Sequence, residues 1–421
     1  MSGSVRFVHA ADLHLDAPFK GVDAEDPRVR AALIAATVGA LDTLVEVCIE
    51  RRADFLVLAG DVYNSMDAPL RTEFAFRDAC ARLDAAGIRV FVARGNHDPA
   101  SSRSAGLALP ANVHVFSADE VERVVYEREG RPICALYGRS FRTAAETANF
   151  AAGYARDPGD ELAIGVLHTN VGDRPGHGPY APCSIGDLRA AHMDYWALGH
   201  IHKPEVLSQD PPIVYSGCTQ GLHPGETGDR GCTVVTLDRH GATLERVSTA
   251  RVVWATATVS AVELDDIDAV RGALLAEVDR VVRDTGTAPG TPAVLRIDLT
   301  GRSGAHAALA RPKALDDLLA DIRCAGLSRD SWVWVDRVRD RTMPAIDLDL
   351  VRSGSDFAAD LVSLADSLLA DSDALGAYVG ALAQPILGTL DSKDLFEPDA
   401  RDIIERARDL ALDRLMAEER R

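Results

Sequence analysis

The chain has 421 residues, 47% of them hydrophobic and 26% charged, and a formal net charge of −19. That length allows two or three domains with a substantial core, and the composition is that of an ordinary globular protein. The acidic excess excludes a protein that grips nucleic acid by bulk electrostatics, which needs clustered Lys and Arg, but not a nuclease whose metals carry the local positive charge.

Met1 to Ser4 lead directly into a strand, with no signal peptide and no apolar run of membrane-spanning length anywhere. Val5 to Ala11 read as that strand, ending in Asp12-Leu13-His14-Leu15-Asp16. Alternation puts Asp12 and His14 on one side of the extended chain, a carboxylate and an imidazole suited to a divalent transition metal. His9, inside the strand, reads as a buried, hydrogen-bonded core histidine, and Asp16 as a turn residue. A helix over about 28–51 follows, with Leu33, Val38, Leu41, Leu44, Val45 and Cys48 at helical spacing. Asp54 to Ala59 form a continuous apolar strand, as in a parallel sheet, and end in Gly60-Asp61. A second helix, over about 69–86, leads to the strand Val90 to Ala93 and then Arg94-Gly95-Asn96-His97-Asp98. Two further strands end in His168 and in Gly199-His200-Ile201-His202.

The first half is therefore a βαβαβ unit with ligand-type residues at the carboxyl end of each strand, where open α/β sheets keep their chemistry. Asp12, His14, Asp61, Asn96, His97, His168, His200 and His202 occupy five strand ends. Oxygen and nitrogen donors without a thiolate point away from a closed structural zinc site. Seven cysteines, with no Cys-x-x-Cys pair, fit the reduced thiols of a cytoplasm, and Cys48, Cys80 and Cys134 read as small core residues. Arg94, Arg103, Arg139 and Arg142 lie near the motifs; each reads first as a surface arginine and second as a contact to a DNA backbone.

The ordered set Asp-x-His, Gly-Asp, Gly-Asn-His-Asp, His, Gly-His-x-His resembles the calcineurin-like metallophosphoesterase superfamily. Phe7 to Phe19, Ser216-Gly217, Gln220-Gly221, His223, Glu226-Thr227-Gly228 and Gly231-Cys232 narrow the resemblance to its SbcD and YhaO-like DNA-repair exonuclease branch. The likeness covers roughly residues 5–345, and Leu222 departs from it, standing where a basic residue is expected. The resemblance implies one metal held by Asp12, His14, Asp61 and His202 and a second by Asp61, Asn96, His168 and His200, with Asp61 bridging. It implies Mn²⁺, while the donor set also suits Fe²⁺, with Mg²⁺ a further candidate. His97 is then the group that protonates the leaving 3′-oxygen or stabilises the transition state, with Asp98 orienting it and raising its basicity.

The fold class expected is an α/β metallophosphoesterase sandwich over residues 1–250, a small α/β cap over 251–345 and a helical C-terminal region over 346–421. In the cap, Val252 to Val259, Ala293 to Leu299 and Trp332 to Val335 read as strands. They alternate with helices over about 266–284 and 311–325. In the tail, Phe357, Leu361, Leu364 and Leu368 form one stripe. Leu375, Val379, Leu382 and Ile386 form a second, on a helix that Pro385 kinks or ends, and Ile403, Ala407, Leu410 and Met416 a third. The tail carries 17 Asp or Glu and 8 Lys or Arg, nearly half the excess negative charge. Such helices repel phosphate and suit a protein surface, either the chain's own or a partner's. The resemblance implies DNA as substrate and an SMC-like ATPase of the SbcC or YhaN type as partner of the tail, and leaves a homodimer open.

Two other readings compete with the nuclease. One is an esterase on the same core acting on a small-molecule phosphodiester or phosphomonoester. The other is a non-catalytic repair scaffold. Gly60-Asp61-Val62-Tyr63-Asn64-Ser65 lacks the Asp-Arg-Gly of the protein-phosphatase relatives, and an intact ligand set argues against a scaffold.

Overall fold

The structure is a computed structural model and describes residues 3–22, 24–103, 108–172, 174, 178–284, 290–371, 375–376, 378 and 400–419. These residues form two compact units, one of 1–256, 279–295 and 327–336 and one of 257–278, 296–326 and 337–421.

The first unit begins with β1 (Val5–Ala10), α1 (Pro27–Glu50), β2 (Phe55–Ala59), α2 (Leu70–Ala85), β3 (Arg89–Ala93) and β4 (Val113–Val115). It continues with β5 (Glu122–Arg128), β6 (Arg131–Arg139), β7 (Ala163–His168), α3 (Ile185–Ala190), β8 (Tyr195–Gly199), β9 (Glu205–Gln209) and β10 (Pro212–Tyr215). Its last two strands are β11 (Gly231–Asp238) and β12 (Gly241–Ser248). Two six-stranded sheets result, ordered β12-β11-β1-β2-β3-β4 and β5-β6-β7-β8-β10-β9. β1, β2, β3 and β4 run parallel in one, and β6, β7, β8 and β10 in the other.

The apolar strands bury both faces, which is why they read as continuous runs rather than alternating ones. Between the sheets Phe7, Phe55 and Phe91 meet Leu136, Ile164, Val166 and Tyr195, all fully buried. Phe7 stacks on Phe55 at 5.2 Å between ring centroids and meets Tyr195 edge-on at 5.3 Å. Fully burying a side chain of that size contributes roughly 1.5–3 kcal/mol, so this layer holds the two carboxyl-end rims against each other. The outer face of the first sheet packs Leu56, Leu58 and Val90 under Leu41, Leu44 and Cys48 of α1 and Phe76 and Leu83 of α2. Trp196 and Leu198 pack on the outer face of the second, with Phe150, Tyr154 and Leu188.

Asp26 caps α1, its carboxylate accepting from the N–H of Arg28 at 2.8 Å, with proline at the first helical position. α1 corrects one expectation. It is long and apolar enough to cross a membrane by length and composition, with half of its most apolar stretch buried in the protein. Leu41, Leu44, Val45 and Cys48 face the core, so its apolarity serves packing.

The sequence reading passes over β4 to β6 and β9 to β12. β5 and β6 pair through a two-residue turn, Glu129-Gly130, with both φ positive (54° and 72°). That is the handedness hairpins need, without the Asn-Gly or Asp-Gly that usually announces it.

β13 (Val253–Ser260), β14 (Ala293–Ser303) and β15 (Val333–Pro344) form a three-stranded sheet, alternating with the helices Ile267–Asp284 and Ala314–Leu327. The alternation of strand and helix is the expected one. In the first unit Trp254, Val294 and Trp334 pack with Val29, Leu33 and Ala36 of α1.

In the second unit the helices Phe357–Ala370 and Ala400–Glu419 pair around Ile346, Val362 and Leu412. Their buried faces are one position off the expected stripes. Val362 and Ala365 are buried, whereas Phe357 (69% exposed) and Leu364 (61%) of the expected stripe face outward. Ile404 and Leu412 are buried, whereas Ala407 and Leu410 of the expected stripe are exposed. Both helices carry apolar residues on two faces, so periodicity alone selects the wrong one. Arg302 of β14 binds Asp409 at 2.6 Å and draws the polar side of the last helix inward. Val379, Leu382, Pro385 and Ile386, and the side chain of Met416, lie outside the described residues.

Candidate metal centre

Because β1, β2 and β3 run parallel, as do β7 and β8, their carboxyl ends reach one edge of each sheet, and the two edges adjoin. The backbone there is sharply bent. Asp12, His14, Asp61 and His200 have positive φ (53°, 43°, 54° and 99°), a conformation that costs L-residues on the order of 1–2 kcal/mol each and that clusters at functional sites. The first two bends are laced together, Asp12 N–H donating to Gly60 O at 3.0 Å and His14 N–H to Asp61 O at 3.1 Å. Glycine lets the sheets close. A Cβ on Gly199 would lie 2.0 Å from the Ala59 carbonyl oxygen, and one on Gly60 (φ +101°) would lie 2.3 Å from His168 Nδ1.

All the expected metal ligands meet here. His14 Nε2 lies 3.1 Å from His202 Nε2 and 3.8 Å from Asp61 Oδ2. His168 Nε2 lies 3.0 Å from Asn96 Oδ1 and 3.4 Å from Asp61 Oδ2. Asp12 accepts from the His200 N–H with both carboxylate oxygens at 3.1 Å. Asp61 thus sits between the His14 and His168 groups, the place a bridging ligand takes. Asp12, His14 and His202 bring ligand atoms within 4.8 Å of one another, as do Asp12, Asp61 and His168.

Neighbours outside the cluster set which imidazole nitrogen faces in. His168 Nδ1–H donates to the Ala59 carbonyl at 2.9 Å, leaving Nε2 toward Asp61. His202 Nδ1 is held by Glu226, whose other oxygen accepts from the Leu222 N–H at 2.6 Å.

The electrostatics are those of a site that attracts a cation. Asp12 and Asp61 are 1–2% exposed, and among the described residues neither is paired with a Lys or Arg side chain. Buried charge needs pairing or coordination. Burial raises the Asp12 carboxyl to about 6 against the pull of His202 and His168. For Asp61, burial is outweighed by His168 and His14, and the carboxyl stays far below the usual range. Burial depresses His14 to about 3. His168 is also buried, but Asp61 raises it to about 9. Buried oxygen and imidazole donors brought within reach of one point fit a divalent ion.

A cavity of about 440 Å³ opens over the cluster, lined by Asp61, Asn96, His97, Tyr180, His200, His202, Lys203, His223, Glu226 and Arg230. Leu222 leaves its basic residues to Lys203 and Arg230. Arg230 is largely spent on carbonyls, donating to His202 O at 2.6 Å and Thr227 O at 3.0 Å.

His97 lines this cavity, but Asp98 does not serve it as expected. The Asp98 carboxylate accepts three backbone N–H groups, from Gly95 and Val62 at 2.9 Å and from Tyr63 at 3.4 Å. It shapes the loops. The partner of His97 Nδ1 is the main-chain carbonyl of Asn64, at 2.7 Å. The four arginines near the motifs are engaged structurally: Arg94 on Asp98 O at 3.2 Å, Arg103 with Asp67, Arg139 over the Phe150 ring and Arg142 with Asp119. Sequence reasoning missed Asn64, Tyr180, Lys203 and Arg230. Glu226 carried a signal only through its motif.

Comparison with known proteins gives the family. The calcineurin-like phosphoesterase family matches residues 5–204, and the middle domain of metallophosphoesterase YhaO matches 254–343. The uncharacterized metallophosphoesterase YhaO of Bacillus subtilis is 33% identical over 346 residues, spanning 81% of this chain and 83% of that protein. The SbcD component of the SbcCD nuclease of Bacillus subtilis is 25% identical, over 53% of this chain and 64% of that one. The DNA double-strand break repair protein Mre11 of Methanocaldococcus jannaschii is 24% identical, over 53% and 58%. The chain belongs to the calcineurin-like metallophosphoesterase family, and it is accordingly a metal-dependent hydrolase of phosphate esters.

Proposed function

We propose that the chain is a DNA nuclease that hydrolyses phosphodiesters with two divalent metals, Mn²⁺ first among the candidates, by 3′–5′ exonuclease action, single-strand endonuclease action or both. The observation that carries this reading is His97 lining the cavity of about 440 Å³ beside the carboxylates and imidazoles that could hold the metals. The nuclease and repair proteins among its relatives support it. Asp12, His14, Asp61 and His202 would hold one cation, and Asp61, Asn96, His168 and His200 the other. When bound, such a pair polarises phosphoryl oxygens and supplies a water acidic enough to attack at neutral pH. His97 supplies what the ligands do not. With Nδ1–H donated to Asn64, Nε2 is the nitrogen that exchanges a proton: from the imidazolium its N–H would pass to the leaving oxygen as the P–O bond breaks, leaving the neutral Nδ1–H ring. Glu226 keeps His202 Nε2 turned inward, and Ala59 does the same for His168.

In this reading residues 1–250 are the nuclease domain, 251–345 cap it, and 346–421 dock on an SMC-like ATPase in the cytoplasm, with repair of DNA as the setting. Exposed Leu350, Phe357, Leu364 and Leu410 offer the apolar contacts such docking uses. The deciding experiment follows end-labelled single- and double-stranded DNA, with and without Mn²⁺, beside a cyclic nucleotide and a phosphomonoester. Metal-dependent shortening of DNA is expected. Hydrolysis of the small esters with DNA left intact moves the assignment to a small-molecule esterase, and no hydrolysis of any of them moves it to a scaffold.

A further inference from the structure

Asp16 reads from the sequence as a turn residue, yet its carboxylate does not serve its own turn, which Ala17 N–H closes onto His14 O at 2.8 Å. It reaches into the next loop. Oδ1 accepts from the Asn64 N–H at 2.6 Å and Oδ2 from the Ser65 hydroxyl at 2.5 Å. The loops after β1 and β2 run side by side, joined by backbone bonds from Asp12 to Gly60, His14 to Asp61 and Leu15 to Val62. Asp16 adds the next rung with a side chain. That rung fixes the residue whose carbonyl, 2.7 Å from Nδ1, holds the His97 ring.

The consequence is chemical. A carbonyl oxygen accepts and never donates, so it demands the Nδ1–H form of His97 and leaves Nε2 to the cavity. A side-chain amide in that place could present either end. A carbonyl orients a ring only if its own peptide is held, and the loop over residues 62–65 has no strand or helix to hold it.

We propose that Asp16 is a positioning residue for His97: through Asn64 it fixes the ring's orientation and the Nδ1–H tautomer that remains once the imidazolium has delivered its Nε2 proton to the leaving group. The inference rests on the assignment of His97 as proton donor, and the test separates the two.

The tautomer is read first, on the metal-free full chain labelled with ¹⁵N-histidine, at a pH where the ring is neutral, with His97 assigned by comparison with His97→Gln. The wild-type ring is expected as Nδ1–H. Asp16→Ala is expected to populate both tautomers. Asp16→Asn is expected to restore the wild-type pattern, since its amide oxygen still accepts from Asn64 and its amino group can donate to Ser65. If the alanine variant does not fold, Asp16→Ser replaces it, because a hydroxyl keeps the position polar but is too short to reach both Asn64 and Ser65.

Turnover is read second, on the Mn²⁺-loaded full chain, with two diesters that share a phosphoryl group. One leaving group is an alkyl alcohol, which needs a proton, and the other is p-nitrophenol, which does not. Asp16→Ala is expected to lower kcat roughly tenfold to a hundredfold on the alkyl ester, with KM and metal stoichiometry unchanged. On the nitrophenyl ester the loss stays within about twofold. A wild-type tautomer in both Asp16→Ala and Asp16→Ser overturns the proposal, as does an equal loss on both esters. A shifted tautomer together with undiminished alkyl-ester turnover in His97→Gln leaves the positioning intact and overturns the proton-donor assignment.

Discussion

The rim that carries the candidate metal ligands and the helices beyond residue 345 are stabilised in contrasting ways. At the rim, four non-glycine residues hold positive φ, two buried carboxylates have no Lys or Arg partner among the described residues, and no added Cβ fits at Gly60 or Gly199. The strain persists because each bend is held by several partners: Asp12 by Gly60 and His200, Asp61 by His14, His97 and His168. In the tail the described helices are unstrained, their small core is Ile346, Val362 and Leu412, and surface ion pairs such as Arg352 with Asp366 at 2.7 Å decorate them. Exposed pairs of that kind contribute about 0–1 kcal/mol. An over-determined region tolerates almost no substitution and does chemistry, and a loosely determined one can be removed or can meet a partner.

Four experiments press on that contrast, beginning with the largest effect. Asp61→Ala removes the group between the two ligand halves. Metal-dependent hydrolysis is expected to fall roughly a thousandfold or more, with fewer metals bound per chain by elemental analysis. Full activity would dissolve the two-metal reading.

His97→Ala leaves the donor set intact, so two metals should still bind, while kcat on an ester with a poor leaving group drops about 10²–10⁴-fold. A large loss of bound metal would make His97 a ligand.

Gly199→Ala tests how tightly the sheets close. Its Cβ must displace the Ala59 carbonyl, which also orients His168. A loss of about 1–3 kcal/mol in denaturant unfolding is expected, with weaker metal binding alongside. A neutral result would mean that the rim is softer than its contacts imply.

The smallest effect is expected from ending the chain at Ala345. Phosphodiester hydrolysis should stay within about twofold of the full chain, while co-purification with the proposed SMC-like ATPase is lost. Loss of metal or of solubility would make the tail part of the core fold, and an undiminished ATPase interaction would place the docking surface elsewhere.

What the sequence determined by itself was local. Apolar runs ending in Asp-x-His, Gly-Asp, Gly-Asn-His-Asp, His and Gly-His-x-His defined parallel strands and put every candidate ligand at a carboxyl end, because strand direction and side-chain alternation need no knowledge of the rest of the chain. His9 was legible as a core histidine for the same reason; it is buried between Tyr195 Oη at 3.0 Å and Leu198 O at 3.2 Å. Only the tertiary structure decided what holds the ligands. Glu226 reaches His202 across 24 positions, and the groups that orient His168 and His97 are main-chain carbonyls, of Ala59 and Asn64, which leave no trace in residue identity. Asp98, beside His97 in sequence, turned to backbone N–H groups of another loop. Asp16, a turn residue by every local sign, reached Asn64 across 48 positions because two parallel strands brought their loops together. The buried faces of the last helices likewise depended on what they met. Arg302 pulled Asp409 inward, and periodicity carries no record of such a partner.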